Sequence, residues 1–300
     1  MELWVFLTFG AVTFQTIRFM LQKHLSKAAL SAGGATFARF LYAAPLVTLA
    51  SPFVMQARGA EWPSLSLEFW LYAWSGGAAQ ILATVFIVML FKSRNFAVGI
   101  TFKKTEVLMT VLVGLVLLGE GVSMTGLGAI LLGLAGVLVL SDVPGGQGGW
   151  LRRVANRAAF LGVASGLLFA VSGVCYRGAS LEIASDDPLI RAMITLVAVS
   201  VSQLIVLGIY LRIREAGEIG RVLSAWRGAM WIGLTSLGGS MCWFMAFTLQ
   251  NAAYVNAVGQ SEVILSLLAS YIFFRERLTL REGVGIGLIT ASVLALILLL

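Results

Sequence analysis

Thr105-Glu106-Val107 returns 156 residues later as Ser261-Glu262-Val263, and both stretches lie inside long apolar runs. Fourteen residues after each of these glutamates stands a second one, in Gly119-Glu120 and in Arg275-Glu276. A pattern that repeats at an interval of about half the chain indicates a duplicated unit. Weaker matches between the halves are Phe9-Gly10 with Ser165-Gly166, Arg39 with Arg191, and Gly126 and Gly128 with Gly283 and Gly285.

The composition places this duplicated unit in a membrane. Of the 300 residues, 59% are hydrophobic and only 12% are charged, whereas soluble proteins carry about 25% charged residues. A spanning helix needs about 20 apolar residues, so ten spans take about 200 positions and leave about 100 for connections and ends. We therefore predict an integral membrane protein, with the lipid bilayer as its partner. A nucleic-acid-binding protein, a secreted disulfide scaffold and a cytosolic enzyme are disfavoured as classes.

Hydropathy predicts ten transmembrane helices, so the expected fold class is all-α and integral to the membrane. A glycine-rich stretch at mid-chain, Pro144-Gly145-Gly146-Gln147-Gly148-Gly149, divides them five and five. Residues 1–141 form the first predicted repeat, 142–157 a glycine-rich and basic cytoplasmic linker, and 158–300 the second repeat. The predicted spans are 3–22, 34–56, 66–91, 96–118, 122–141, 158–178, 188–211, 228–249, 254–274 and 281–300.

The odd number of spans in each repeat has a geometric consequence. After five crossings the chain is on the opposite side of the membrane, so the second repeat is inserted upside down relative to the first. Inverted repeats of this kind build secondary transporters, with a binding site near the bilayer midplane between the halves. The sequence thus predicts two inverted five-helix repeats around a central cavity.

The net charge of +7 is explained by membrane topology. Fourteen of the 21 basic residues fall in the odd-numbered connections between predicted spans, whereas the even-numbered side has only Arg58, Arg177 and Arg191. Because Lys and Arg are enriched in cytoplasmic loops, the odd-numbered connections are predicted to be cytoplasmic and both termini to be outside. The charge therefore indicates orientation, and no nucleic-acid partner is expected.

The repeated glutamate pattern resembles the drug/metabolite transporter superfamily, specifically its EamA-like ten-helix members. The resemblance rests on a helix with (Ser/Thr)-Glu-Val, an apolar stretch, and then Gly-Glu or Arg-Glu before a glycine-rich last helix. It implies a protein of the bacterial inner membrane that exports amino acids or related metabolites, and relatives carry nucleotide sugars and sugar phosphates. Many relatives place a proline after the glutamate of span 4 or 9. This chain has Val107 and Val263 there, which leaves a helix break at these points open.

Three charged residues lie inside predicted span 4, where each charge costs about 2.5–3.5 kcal/mol. Lys103, Lys104 and Glu106 are close to the midplane of the membrane by their distance from the start of that helix. In one interpretation a lysine binds an anionic group of the substrate, with Glu106 as counter-charge or proton carrier. In the other, Lys103 pairs with Glu106 while Lys104 reaches the cytoplasmic interface. Glu106 and Glu262 either couple transport to protons or order their helices.

Further polar and aromatic residues of the predicted spans are candidates for substrate binding. Arg18 shares a stripe of span 1 with Gln15. It pairs with Glu106 or a substrate carboxylate in one interpretation, and lies at the cytoplasmic interface in the other. Tyr176 and Trp243 are placed to stack on the substrate, or else pack as ordinary membrane aromatics. The remaining candidates are Gln80 and Thr84 in span 3 and Asn256 and Gln260 in span 9.

The leading functional hypothesis is a secondary active transporter that exports a small-molecule substrate, such as an amino acid, by alternating access. The alternative is an exchanger of phosphorylated or carboxylated anions, motivated by the two lysines of span 4. A lipid flippase or a membrane-embedded enzyme is less favoured. No catalytic residue, metal or cofactor is predicted, because the sequence has a single histidine, His24, and no G-x-x-x-x-G-K-[ST] loop. The glycine-rich spans 5 and 10 predict close helix packing, with a homodimer interface as one use.

Overall fold

The computed structural model describes residues 2–28, 30–91, 103–141, 157–265 and 280–299. Within these ranges the chain is helical between its connections and forms no strand. Six of the helices are long and apolar enough to cross a membrane, and three more are shorter and apolar. Eleven helices lie fully inside the ranges: α1 (Leu3–Ala28), α2 (Ala32–Ala57), α3 (Leu67–Phe91), α4 (Glu106–Leu118), α5 (Met124–Ser141), α6 (Arg157–Leu181), α7 (Pro188–Arg214), α8 (Glu218–Ser224), α9 (Trp226–Leu249), α10 (Ala252–Gly259) and α11 (Leu280–Leu299).

The all-helical class predicted from hydropathy is confirmed, and a helix stands at the position of each predicted span. Two details differ. The first helix continues to Ala28, beyond the predicted end at residue 22, and α8 lies in what was predicted to be a connection. Parts of predicted spans 4 and 9, residues 142–156 of the linker, and Arg275-Glu276 lie outside the described residues. The ten crossings and their inversion therefore stay predictions.

Both helices that carry the repeated glutamates are interrupted directly before them. Residues 104–105 form a turn, and α4 starts at Glu106. In the second half α10 ends in a turn at residues 260–261, and the chain is helical again from Glu262. The two turns are separated by 156 residues, the interval of the sequence repeat. The chain therefore breaks both helices at equivalent positions, although a valine and not a proline follows each glutamate.

Local sequence explains where several helices begin and end. Ser31, Asp187 and Asn251 directly precede α2, α7 and α10. Each accepts a hydrogen bond through its side-chain oxygen from a backbone N–H of the first turn, at 2.9, 2.8 and 2.8 Å. Pro188 starts α7, where a missing N–H costs nothing. Gly119 ends α4 with a φ of 66°, a left-handed conformation that favours glycine.

Helices of the first half pack against helices of the second half, in pairs that stay the same when the two halves are exchanged. The helix α1 packs along α9, and α3 packs along α6. Likewise α2 packs on α7, and α5 on α11. In the order of predicted spans these pairs are 1 with 8, 3 with 6, 2 with 7 and 5 with 10. Exchanging the two halves leaves this set unchanged, as a two-fold related duplication requires.

The glycine-rich helices α5 and α11 use part of their small-residue surface on each other. A Cβ atom added at Gly136 would lie 2.9 Å from the carbonyl oxygen of Gly285 and 2.9 Å from Leu288. Ser292 donates a hydrogen bond of 2.6 Å to the carbonyl of Ala129. The predicted close packing therefore occurs within one chain. The homodimer stays a prediction.

The short helix α8 carries a carboxylate that is completely buried. Glu218 is 0% exposed and accepts a hydrogen bond of 2.6 Å from the backbone N–H of Ser31. Its other oxygen accepts one from Nε of Arg221, also at 2.6 Å. A Cβ atom at Gly34 would lie only 2.0 Å from Oε1 of Glu218, so this contact needs glycine. The connection between α7 and α9 is thereby attached to the start of α2.

Candidate functional site

A cavity of about 710 Å³, counted with the solvent space at its mouth, lies where helices of both halves meet. Its walls come from α1, α2, α3 and the start of α4, and from α6, α9, α10 and the turn after α10. Of the twelve residues proposed from the sequence for binding or coupling, eleven line it. These are Gln15, Arg18, Gln80, Lys103, Lys104, Glu106, Tyr176, Trp243, Asn256, Gln260 and Glu262.

Lys103 and Glu106 form an ion pair across the first helix interruption. The lysine Nζ lies 2.7 Å from Oε2 of Glu106. Lys103 is buried, and its ammonium group also lies over the ring of Phe169, 5.0 Å from the ring centroid. The carboxylate and the ring face together compensate the buried charge. The pairing expected under the structural interpretation is present, and both residues line the cavity as well.

Lys104 is buried in the cavity wall, with 7% of its surface exposed. Its Nζ lies 2.9 Å from Oε2 of Glu262, at the second helix interruption. The side-chain amide of Gln15 also approaches that oxygen, at 3.4 Å, and Nη2 of Arg18 lies 3.4 Å from Oε1 of Gln15. A line of polar contacts from Lys104 through Glu262 and Gln15 to Arg18 therefore connects both interruptions with α1.

Arg39 of α2 is a fourth cation of the cavity. The sequence marked it only as the counterpart of Arg191, although a charge five residues inside a predicted apolar span was a signal for function. It is 3% exposed. Its guanidinium donates to the hydroxyls of Ser236 at 2.6 Å, Ser240 at 3.0 Å and Thr84 at 3.5 Å. Thr84, a predicted site residue, is therefore buried behind Arg39 and does not line the cavity.

The cavity carries more positive than negative charge. Both carboxylates form ion pairs with lysines. Neither Arg18 nor Arg39 has a carboxylate as a hydrogen-bond partner within the described part of the chain. With all six groups ionised the lining has a net charge of +2. The cations are Arg18, Arg39, Lys103 and Lys104, and the anions are Glu106 and Glu262.

One wall of the cavity is aromatic. Tyr176 stacks on Phe244 with ring centroids 4.4 Å apart, and Trp243 stacks on Phe247 at 5.5 Å. The three phenylalanines of the wall, Phe169 included, carry no signal in the sequence that separates them from other apolar residues of the spans. The lining thus combines ionic groups with flat apolar surface, the mixture that binding sites for small molecules use.

Hydrogen bonds fix the direction of several uncharged polar groups. The amide nitrogen of Gln203 donates to Oε1 of Gln80 at 3.1 Å and to the hydroxyl of Tyr176 at 3.3 Å. Asn256 donates to the hydroxyl of Thr110 at 2.9 Å. Gln203 and Thr110 do not line the cavity. Each of the lining residues Gln80, Tyr176 and Asn256 therefore has a hydrogen-bond partner on the side away from the cavity.

Three lining residues have buried polar atoms without a hydrogen-bond partner among the described residues. They are Nε of Arg18, the indole nitrogen of Trp243 and the side-chain amide of Gln260. A Cβ atom at Gly133 would lie 3.4 Å from Oε1 of Gln260, which places that amide towards α5. Buried donors are normally satisfied. The indole N–H of Trp243 is therefore a candidate donor for a polar ligand.

Beside the cavity, Arg177 near the end of α6 binds both the connection between α4 and α5 and the end of α9. Its Nε lies 2.7 Å from Oε2 of Glu120, in the connection between α4 and α5. Its Nη1 donates to the carbonyls of Phe247 and Gln250, at the end of α9, at 2.8 and 2.9 Å. One side chain of the second half thus holds the first half against the aromatic wall. We call Arg177 with these three partners the Arg177 clamp.

Comparisons with known proteins agree with the fold and with the sequence pattern. The model of the EamA-like transporter family matches residues 156–298. This confirms the resemblance to the drug/metabolite transporter superfamily in the second half of the chain. The whole chain is similar to a protein of known crystal structure, with a TM-score of 0.70 at 17% identity, over 99% of this chain and 96% of that one. At that identity the likeness shows the fold alone. No curated protein matches the chain.

Proposed function

Residues 156–298 of this integral membrane protein belong to the EamA-like transporter family, and from this premise we propose that the chain is a secondary active transporter of a small metabolite. Transport proceeds by alternating access, in which the two halves expose the central cavity to each side of the membrane in turn. The substrate is a small polar compound such as an amino acid, and the direction is outward.

The observation that carries this proposal is the position of the cavity at the two helix interruptions. Transporter sites are typically formed where discontinuous helices of two repeats meet near the midplane. Here the turns at residues 104–105 and 260–261 adjoin the cavity, and the ion pair of Lys104 with Glu262 joins them. The exchangeable pairing of helices supports a two-fold duplication, which alternating access uses.

The chemistry of the lining supports an amino acid or related compound as substrate. The cations can receive a carboxylate, the two glutamates can receive an ammonium group, and the aromatic wall can receive an apolar side chain. Glu106 and Glu262 are the proposed coupling residues. Because each is paired with a lysine, protonation of a glutamate would release a cation for the substrate.

Purified protein in liposomes tests the proposal. We expect saturable uptake of at least one amino acid, concentrated further by a pH gradient. In Glu106→Gln and Glu262→Gln the gradient should no longer concentrate substrate, while exchange of labelled for unlabelled substrate continues. The double variant Lys104→Gln/Glu262→Gln lacks the carboxylate but leaves no lysine without its ion-pair partner. Coupling that is lost in this variant as well is therefore due to the missing carboxylate and not to a destabilised protein. Failure to move any amino acid, nucleotide or sugar phosphate would refute transport.

A second candidate function is exchange of phosphorylated or carboxylated anions, favoured by the net positive charge of the cavity. An obligatory exchanger needs a substrate on both sides. Uptake of a labelled anion should then rise strongly when the liposomes are preloaded with unlabelled anion. Equal uptake into empty and preloaded liposomes would eliminate this form of transport.

We further propose that the odd-numbered connections face the cytoplasm of a bacterial inner membrane. Exposed Arg212, Arg214 and Arg227, at the ends of α7 and α9, support this orientation because basic residues collect on the cytoplasmic side.

A further inference from the structure

The two arginines of the cavity are buried and yet face its interior. Arg18 of α1 is 4% exposed, Arg39 of α2 is 3% exposed, and both line the cavity. The charges of the two guanidinium groups repel each other across it. Two like charges at membrane depth are costly to maintain, and such residues normally pair or serve a function.

The partners of Arg39 hold it without neutralising it. A guanidinium has five N–H donors, and three of those of Arg39 go to the hydroxyls of Ser236, Ser240 and Thr84. Hydroxyls from α3 and α9 thus fix the plane of the group while its charge stays uncompensated by any of these bonds. Two N–H donors remain.

Arg18 is held still more loosely. Its one side-chain hydrogen bond within the described residues is the 3.4 Å contact of Nη2 with Gln15, and its Nε is buried without a partner there. The guanidinium also lies over the ring of Phe19, 4.7 Å from the centroid. Glu262 attracts it electrostatically, but that carboxylate accepts its hydrogen bonds from Lys104 and Gln15.

Each lysine, in contrast, has a carboxylate that compensates its charge. Lys103 binds Glu106 at 2.7 Å and Lys104 binds Glu262 at 2.9 Å. The ionic excess of the cavity therefore rests on the two arginines, whose unused N–H groups point to a ligand with several acceptor oxygens. Planar guanidinium groups match carboxylate and phosphate oxygens in paired hydrogen bonds.

We propose that Arg18 and Arg39 together form an oxyanion site that binds the carboxylate or phosphate group of the transported compound and selects for it. The inference rests on the proposed transport function and holds for either form of it. It assigns the selection of anions to the arginines of α1 and α2, whereas the two lysines at the first helix interruption pair with the two glutamates.

Binding to the purified protein in detergent tests this site with matched probes. One pair is L-phenylalanine with L-phenylalaninamide, and the other is glucose 6-phosphate with glucose; inorganic phosphate and acetate are tested alone. We expect the member that carries a carboxylate or phosphate group, in at least one pair, to stabilise the protein against heat, and the member that lacks this group to have no effect. The pair that responds distinguishes a carboxylate from a phosphate site.

Variants assign the response to the arginines. Arg18→Gln and Arg39→Gln should each weaken binding of the anionic probe about 10- to 100-fold, the range for hydrogen bonds to charged groups. Arg214→Gln, an exposed arginine at the end of α7, should bind as the wild type does. If a Gln variant does not fold, the corresponding Arg→Lys variant is used. It keeps the charge but lacks the planar guanidinium with its paired N–H donors, and it should still weaken binding measurably.

Two outcomes would overturn the site. One is that no probe with a carboxylate or phosphate group stabilises the wild-type protein, or that the partners that lack this group bind as well. The other is that the arginine variants bind the anionic probe like Arg214→Gln. In both cases uptake of a neutral or cationic metabolite into liposomes would leave the transporter itself intact. Absence of all uptake would instead refute the proposed function.

Discussion

Neighbouring lysines hold the two repeated glutamates of this chain. Lys103 and Lys104 follow each other in sequence, yet one pairs with Glu106 of its own half and the other with Glu262 of the second half. All four side chains are largely buried. Breaking a buried pair by removing one partner leaves an uncompensated charge, whereas neutralising both partners is often tolerated. The ion pair of Lys104 with Glu262 is therefore a sensitive point of the molecule.

Glu262→Gln is expected to lower the free energy of unfolding by up to about 5 kcal/mol, because it leaves Lys104 buried without its carboxylate. The measurement is the thermal unfolding midpoint in one detergent. The double variant Lys104→Gln/Glu262→Gln removes both charges and should recover most of the loss. If the double variant unfolds as early as the single one, the ion pair does not determine the effect.

At the scale of the elements, the first helix interruption lies at very short distance from the long helix α6. A Cβ atom at Gly166 would lie 2.8 Å from the carbonyl oxygen of Lys103 and 3.5 Å from the backbone nitrogen of Glu106. These neighbours are backbone atoms, which cannot rotate away as the end of a side chain can. Gly166 therefore sets how closely α6 approaches the first interruption.

Gly166→Ala is expected to destabilise the protein by about 1–3 kcal/mol, as overpacking does. It should also slow transport, because it displaces the segment that carries Lys103 and Glu106. The matched control is Gly128→Ala in α5, where the added methyl meets nothing within 4 Å. There alanine should be neutral or stabilising by up to about 1 kcal/mol. Equal unfolding midpoints for the two variants would contradict the close approach.

At the scale of the whole molecule, alternating access requires contacts that hold the halves together in one state and release in the other. The Arg177 clamp meets this description, since Arg177 binds Glu120 of the first half together with the end of α9. It lies on the side of the even-numbered connections. A second ion pair on that side, Arg58 with Asp187 at 3.2 Å, has a half-exposed arginine. Such surface pairs contribute about 0–1 kcal/mol.

Arg177→Gln is expected to open the cavity towards the side of the even-numbered connections. A single cysteine at Ser172, in a Cys175→Ala/Cys242→Ala background, reports this through labelling with a membrane-impermeant reagent from each side of the membrane. Labelling from the even-numbered side should rise several-fold and labelling from the other side should fall. Arg58→Gln is the matched control and should leave both rates unchanged. The clamp has no gating role if the two variants label alike.

The sequence was sufficient for the class of the protein and for most of the cavity. Polar groups are so costly in a membrane that any charge or amide in an apolar run is a candidate, and this reasoning found Lys103, Glu262 and Asn256. It left out Arg39 as a site residue, because a charge near the predicted end of a span also fits an interfacial position.

Most features that the sequence did not predict depend on contacts between residues distant in the chain. Nothing local shows that Thr84 lies behind Arg39, that Lys104 reaches Glu262, or that Arg177 meets the end of α9. The helix interruptions were left open for a different reason. They lack proline, and the turns are instead formed within sequences whose hydropathy continues that of a helix.

The position of the two lysines has one more consequence. The counterparts of Lys103 and Lys104 at the repeat interval are Gly259 and Gln260, which carry no charge. Each half thus supplies a glutamate, but the first half alone supplies the ammonium groups that hold both. A perfectly duplicated transporter would have inward- and outward-facing states of equal free energy, because a two-fold rotation that exchanges its halves would convert one state into the other. The two halves of this chain differ, so under the proposed alternating access its two end states differ in free energy, and the lysine pair is one contribution to that difference.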